Sequence, residues 1–311
     1  MNRAQFNKAV VPGLFSMMVD SYRPRATDEE WRSLVNKIGT VKSNSVRSYE
    51  ESAYFAGLGV VAQKPEGSPI SYDEMVQGPT KRWVHKTYGL GVRLTEELID
   101  DTLYSEVPTE MSQITSELGA ASRETLNALM FDLFNSGTAT TSHTAGDSLA
   151  IFSAAHVALR GGTWSNILSP TADPSATALQ EAIRQFENTK DDTGKYQRIR
   201  PRWLLTNPKN EWKFKELLQS GFDPESSNNA KNTLLSRGLQ LITTPYYTDS
   251  DAFILLAPPP KKDSGVIAFM RRKVSFAKDG DFDTGDAKFK VTFRHSIEIN
   301  KPNNMFLSGG A

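Results

Sequence analysis

The feature that most constrains this chain is the stretch from Ser105 to Asn135, where Met111, Ile114, Leu118, Ala121, Leu126, Leu129, Met130 and Leu133 recur with a helical period. Ser105 or Thr109 can cap such a helix, Pro108 is compatible only with its first turn, and Gly137 stands where it would stop. At about 1.5 Å per residue the rod is roughly 40 Å long. A helix of that length is either an ordinary core helix or a spine across a flat domain, and its neighbours decide between the two.

With 311 residues the chain can bury a real core in two lobes or one large domain. Lys plus Arg and Asp plus Glu are balanced at 36 each, so no global field points to nucleic acid or an anionic membrane. There is no cysteine, which excludes disulfides, thiolate metal sites and a cysteine nucleophile. The N-terminal apolar run from Ala9 to Val19 is broken by Pro12 and Gly13 and reads as mature protein, not a signal peptide. No window approaches the ~18 apolar residues that span a bilayer.

Residues 27–38 form a short amphipathic helix in expectation, with Thr27 and Glu30 in capping-box spacing and Trp31, Leu34, Val35 and Ile38 on one face before Gly39. It is either a packing helix on its own domain or an arm across a neighbour. From Tyr49 to Leu94 the pattern turns extended, and Lys64-Pro65-Glu66-Gly67-Ser68-Pro69 is a turn cluster, so two long arms should meet at a tip. Ile70, Tyr72, Met75, Val76, Trp83 and Val84 carry too little apolar surface to close a core of their own, and a hairpin of this length needs something to lie on.

Thr95 begins an acidic helix start, the long helix follows, and 136–148 is a small polar loop. A second lobe of α/β character begins near Leu149: Asp173-Pro174 caps a helix carrying Leu179, Ala182, Ile183 and Phe186, and Asp192-Thr193-Gly194-Lys195 turns the chain back. Trp203–Thr206 is a buried strand, and Asn207-Pro208 caps another helix to Gln219. Ala252–Leu256 and Val266–Met270 are apolar strand runs. Lys288 to Ile299 alternates strictly, with Phe289, Val291, Phe293, Ile297 and Ile299 on one face, and should return to the sheet beneath the long helix.

Three patterns resemble catalytic or ligand motifs. Gly146-Asp147-Ser148-Leu149 spells a GDSL-type signature, whose serine nucleophile needs an Asp-x-x-His pair. The positions three before His85, His143, His156 and His295 hold Arg82, Thr140, Ser153 and Thr292, so that pair is absent. Gly57-Leu58-Gly59-Val60-Val61-Ala62 fits a loose dinucleotide fingerprint, but Pro65 stops the helix it requires. The four histidines have no paired spacing, and Asp279-Gly280-Asp281-Phe282-Asp283 lacks the rest of a calcium loop, so it is expected to be a solvated turn. No catalytic, cofactor or metal residues are assigned.

The order of these pieces resembles the major capsid proteins of tailed bacteriophages with the Hong Kong 97-like fold. The resemblance rests on the arm, the long extended loop, Arg93 to Asp101 (RLTEELIDD), the long helix, and above all Leu149 to Pro208 with AIFSAAHVALRGGTWSN and DDTGKYQRIRPRWLLTNP. It implies an α+β fold with an N-terminal arm (1–48), an extended β-hairpin loop (49–88), a peripheral domain with the spine helix (89–148), an α/β axial domain (149–260) and strands returning to the peripheral domain (261–311). It further implies a structural protein, not an enzyme, that self-assembles as pentamers and hexamers into an icosahedral shell. Such a shell encloses double-stranded DNA without sequence-specific binding, and is built in the host cytoplasm and carried in the virion.

A separate scaffolding protein and a portal are expected, a decoration protein is compatible, and no membrane is involved. Trp31 in the arm and Lys64, Glu66, Gly67 and Ser68 at the tip are the expected intersubunit contacts. Lys64 is expected to be a solvated lysine and not a cross-link, and Arg271-Arg272-Lys273 a solvated strand edge or an inner basic patch. An encapsulin-like compartment keeps the fold with a different cargo, and a hydrolase using Ser148 is the reading of another class.

Overall fold

A computed structural model describes residues 30–43, 45–95, 97, 108–222, 231–261, 264–280 and 283–310, together with Ser16 and Val19. Thr27, the cap at Ser105, Asp281 and Phe282, and most of 9–19 and 95–101 lie outside the described residues.

Helix α1, Glu30–Ile38, buries Trp31, Leu34, Val35 and Ile38, the face its spacing predicts. Gly39 ends it, but not as a left-handed cap. The chain runs straight into strand β1, Gly39–Lys42, laid parallel to the later strand Val266–Gly280 with Gly39 opposite Val266. A Cβ on Gly39 would lie 1.8 Å from the Val266 carbonyl oxygen, so the absent side chain is what lets the two backbones meet. Gly39→Ala is expected to destabilise the fold by about 2–3 kcal/mol, through displaced backbone, in a denaturant titration.

After strands β2, Tyr49–Ser52, β3, Lys81–Val84, and β4, Lys86–Leu94, comes the long helix α2, Pro108–Asn135. Its buried residues Leu126, Met130 and Leu133, with Phe131 and Phe134, join the main core. Beneath it lies a four-stranded sheet in the order β1-β10-β11-β4, where β10 is Val266–Gly280 and β11 is Ala287–Ile299. The alternation in β11 does as expected: Phe289, Val291, Phe293, Ile297 and Ile299 are buried, and the spine helix packs on that strand. Leu118 meets Leu94, Phe289 and Val291 under the near end of the helix.

The second lobe carries two short strands, β5, His156–Val157, and β6, Thr163–Trp164, then helix α3, Ala176–Glu187, strand β7, Trp203–Thr206, helix α4, Glu211–Gln219, and strands β8, Gln240–Thr243, and β9, Phe253–Leu256. Ser175, not Asp173, caps α3, its Oγ accepting the Ala178 N–H at 3.1 Å. Asn207 caps a single 3-10 turn, Pro208–Asn210, that leads into α4.

The last strand, β12, Met305–Ser308, corrects the expectation that 261–311 returns entire to the peripheral sheet. It pairs with β9 in a second sheet ordered β12-β9-β7-β8. All four of its residues are buried, which suits a sheet covered on both faces and not a half-wet strand. One face of that sheet, Leu204, Phe253, Leu255 and Phe306, packs with Leu179, Ile183, Phe214 and Leu217 of the helices. The other, Leu205, Ile254, Leu256, Met305 and Leu307, faces the core shared with α1 and α2. The described residues thus form an α+β fold in which two four-stranded sheets are joined through one core, with the pairs β2-β3 and β5-β6 as small sheets beside them.

Candidate functional site

The segment that the monomer leaves unfinished is the hairpin between β2 and β3. Its root is firm. β2 and β3 pair antiparallel from Tyr49↔Val84 to Ser52↔Lys81, and Trp83 is buried against Ile267 and Phe269. The Lys81 ammonium donates to the Thr144 carbonyl, to Glu298 Oε2 at 3.1 Å and to the Ile299 carbonyl at 3.3 Å. One lysine therefore ties the hairpin to β11 and to the loop after the spine helix.

Glu298 is shared with His143, whose Nδ1 lies 3.8 Å away and whose Nε2 lies 3.0 Å from Asp132 on the spine helix. Glu298, with Asp132, raises the His143 pKa above the ordinary histidine value against the opposing effect of burial. For Glu298 burial acts upward, and His143 and Lys81 outweigh it, so its carboxyl titrates below the usual range.

Beyond the root the arms run nearly without a ladder. Gly78 N–H donates to the Tyr54 carbonyl at 2.7 Å, Ala56 N–H to the Val76 carbonyl at 2.8 Å, and Phe55 bridges Gln77. The tip is a turn in which the Ser68 N–H reaches the Pro65 carbonyl at 3.2 Å and Gly67 takes a φ of 78°, a backbone conformation that other residues adopt at a cost. Lys64, Glu66 and Gly67 are exposed there and Ser68 half-buried. The apolar residues of the arms are exposed too, Val61 at 95% and Tyr72 at 94%, with Val60, Ile70 and Met75 also largely open. Between the hairpin base and the second lobe lies a cleft of about 620 Å³ lined by Tyr54, Phe55, Met75, Asp192 and Lys301 among others.

Trp31, expected as an intersubunit contact, is instead inside. Its ring is 2% exposed, its neighbour His295 sits edge-on at 5.9 Å, and its backbone N–H donates to Asn127 Oδ1 on the spine helix at 3.2 Å. It packs α1 onto its own domain and leaves no face for a neighbour. Arg272 and Lys273 are exposed where β10 bulges between Met270 and Ser275, and Arg271 is half-buried.

The structure pairs Asp147 with a histidine that the motif spacing missed. His156 Nδ1 lies 2.7 Å from Asp147 Oδ2, and its Nε2 lies 3.2 Å from the Ile151 carbonyl. Burial acts to raise the Asp147 carboxyl, but His156 and the Leu149 and Val157 amides outweigh it and hold it below its usual range. The two ring nitrogens face the Asp147 carboxylate and the Ile151 carbonyl, and not a hydroxyl. His156 is fully buried and stacked on Trp164 at 4.4 Å between centroids, while Ser148 is exposed on a turn at φ 65°. This is a pin between a loop and a short strand.

Gly57–Ala62 lies along a hairpin arm with no helix after it. Among the described residues no group of three or more His, Asp or Glu is placed to hold a metal, and no helix is long and apolar enough to cross a membrane.

Against known families, residues 79–303 match the phage capsid protein family. The chain belongs to that family. This capsid chain also shares its fold with solved structures across nearly its whole length. A chain from Microbacterium phage Oxtober96 matches at 12% identity and a TM-score of 0.53, covering 93% of each chain. The capsid of Myoviridae phage XM1 matches at 7% identity and 0.54, covering 90% of this chain and 92% of that one. The holo-SrpI encapsulin complex from Synechococcus elongatus PCC 7942 matches at 14% identity and 0.51, covering 91% and 89%. No curated protein matches. At such identities the likeness is one of fold, and with the family it makes the chain a capsid protein of Hong Kong 97-like fold, a virion component that works in many copies of itself.

Proposed function

We propose that this capsid protein forms the icosahedral head of a tailed phage, as pentamers and hexamers, around double-stranded DNA that it encloses without sequence-specific contacts. It acts through geometry and carries no catalytic residue. A separate scaffolding protein and a portal direct assembly in the host cytoplasm, and a decoration protein is compatible with the finished shell. The observation that carries the reading is the hairpin, a long projection with Val60, Val61, Ile70, Tyr72 and Met75 in solvent and no core of its own.

Lying over a neighbouring subunit, each such side chain would contribute about 1.5–3 kcal/mol by leaving water, and summed over a closed shell that makes a marginal contact a strong one. Lys64, Glu66, Gly67 and Ser68 are the contacts at the tip. Deleting residues 64–71 is expected to leave a subunit that melts as the parent does but yields at least tenfold fewer closed particles by sedimentation and negative-stain microscopy. Normal yields of normal shells would sink the reading.

The encapsulin neighbour supports a second reading of the same fold, a compartment with protein cargo. Particles recovered from the producing cell separate the two, since nuclease-protected double-stranded DNA is expected in a head and a protein cargo in a compartment.

A further inference from the structure

Past the Ala56–Val76 bond the two hairpin arms are joined, among the described residues, by one side chain. Asp73 on the returning arm accepts the Gly59 N–H of the outgoing arm on Oδ2 at 2.6 Å. Its other oxygen, Oδ1, accepts from Arg160 Nη1 at 2.7 Å, and Arg160 Nη2 donates to the Glu74 carbonyl. Arg160 stands on the turn between β5 and β6, beside Gly161 and Gly162 at φ 95° and 87°. A single carboxylate therefore clips the arms together and moors them to the second lobe.

Two further cations of that lobe hold the outgoing arm by its backbone, Lys195 through the Leu58 carbonyl at 2.6 Å and Lys261 through the Phe55 carbonyl at 3.3 Å. The Arg160 hydrogen bond, above all, holds the Asp73 carboxyl below its usual range.

The geometry points to Arg160, acting through Asp73, as the positioning residue that aims the hairpin at its neighbour before subunits meet; this rests on the reading of the hairpin as an intersubunit contact. Gly59 and Glu66 are seven residue steps apart, a lever of roughly 23 Å when extended. A swing of about 15° at the clip would carry the tip some ~6 Å, beyond the ~4.5 Å within which side chains touch. Both partners are partly exposed, with side-chain accessibilities of 23% and 42%, so the pair adds little to fold stability and its value lies in direction.

The test uses the full chain with Arg160→Ala, Asp73→Ala, the double variant and Arg160→Lys, read by melting temperature, by hydrogen exchange at the Gly59 amide of the unassembled subunit, and by the fraction of closed particles. All four are expected to melt with the parent. Both alanine variants should exchange Gly59 about tenfold faster and form several-fold fewer closed particles. The double variant should fall short of the sum of the two singles, because the Arg160–Asp73 contact common to both is lost only once while the Glu74 and Gly59 bonds are lost separately, and Arg160→Lys should recover part of both signals.

Parental particle yields from the alanine variants, with or without faster exchange, would overturn the proposal, as would additive losses in the double variant. The 64–71 deletion run alongside separates the two ideas: a deletion that assembles normally removes the interface reading, whereas a defective deletion beside parental Arg160→Ala removes only the clip.

Discussion

Asp192→Ala is expected to cost about 3–5 kcal/mol of unfolding free energy, because it strands a buried ammonium. Lys301 is paired with Asp192 across 109 residues of sequence, and the two side chains are only 10% and 5% exposed. Burial pushes the Lys301 pKa below the usual lysine value, partly offset by Asp192. The Tyr54 ring also lies 5.1 Å from the ammonium, its own hydroxyl pushed upward by burial and then by Asp192 and Asp147, while Asp191 and Lys261 act on Lys301 with opposite signs.

A ring face attracts a cation by about 0.5–2 kcal/mol, which does not replace a carboxylate. Removing both charges changes the sign of the argument. Asp192→Ala with Lys301→Met leaves no ion to desolvate and should lie within about 1–2 kcal/mol of the parent. Denaturant titrations of the three unassembled chains measure this, and a single variant costing less than about 1 kcal/mol would show that water reaches the pair.

Acid should weaken the fold through His295 by about 3 kcal/mol. This histidine lies on the dry face of β11, 1% exposed, with neither ring nitrogen hydrogen-bonded among the described residues. Burial, helped by nearby His85, pushes its pKa down to about 4. The folded state thus refuses a proton that the unfolded chain accepts at about 6.5. Stability is complete above that value and is lost as the pH falls from about 6.5 toward 4, by about 1.4 kcal/mol for each pH unit.

Other charged groups around the same region act differently. His143, raised by Glu298 and Asp132, stabilises at low pH and loses that contribution as the pH rises through its own titration. His295→Leu should therefore flatten the acid limb of the stability profile while keeping the fold at neutral pH. An unchanged acid limb would place the lability in His85, which burial also holds below the ordinary histidine value, or in the carboxylates Glu298 and Asp147, both held below their usual range.

Much of this was readable from residue order. The spine helix, the strand Trp203–Thr206 and the dry face of β11 follow from apolar spacing, which reports local conformation directly. His295 was also within reach, since it occupies the same alternation as Phe293 and Ile297, though a histidine there does not register as apolar. Pairs such as Asp147 with His156, Asp192 with Lys301 and Asp73 with Arg160 leave no periodic mark. The GDSL-like signature drew attention to Ser148, when the residue with a partner was Asp147.

The sequence by itself determined the long helix, the strand Trp203–Thr206, the dry face of Lys288–Ile299, and that the hairpin from about Tyr49 to Tyr88 has no core of its own, because each of these is written in local spacing and side-chain type. Only the tertiary structure decided that Trp31 serves its own core, that Met305–Ser308 joins the second sheet, and that Arg160 meets Asp73. A buried face records that something covers it and not what covers it, and a charge finds its partner only when chain segments far apart in sequence are folded together.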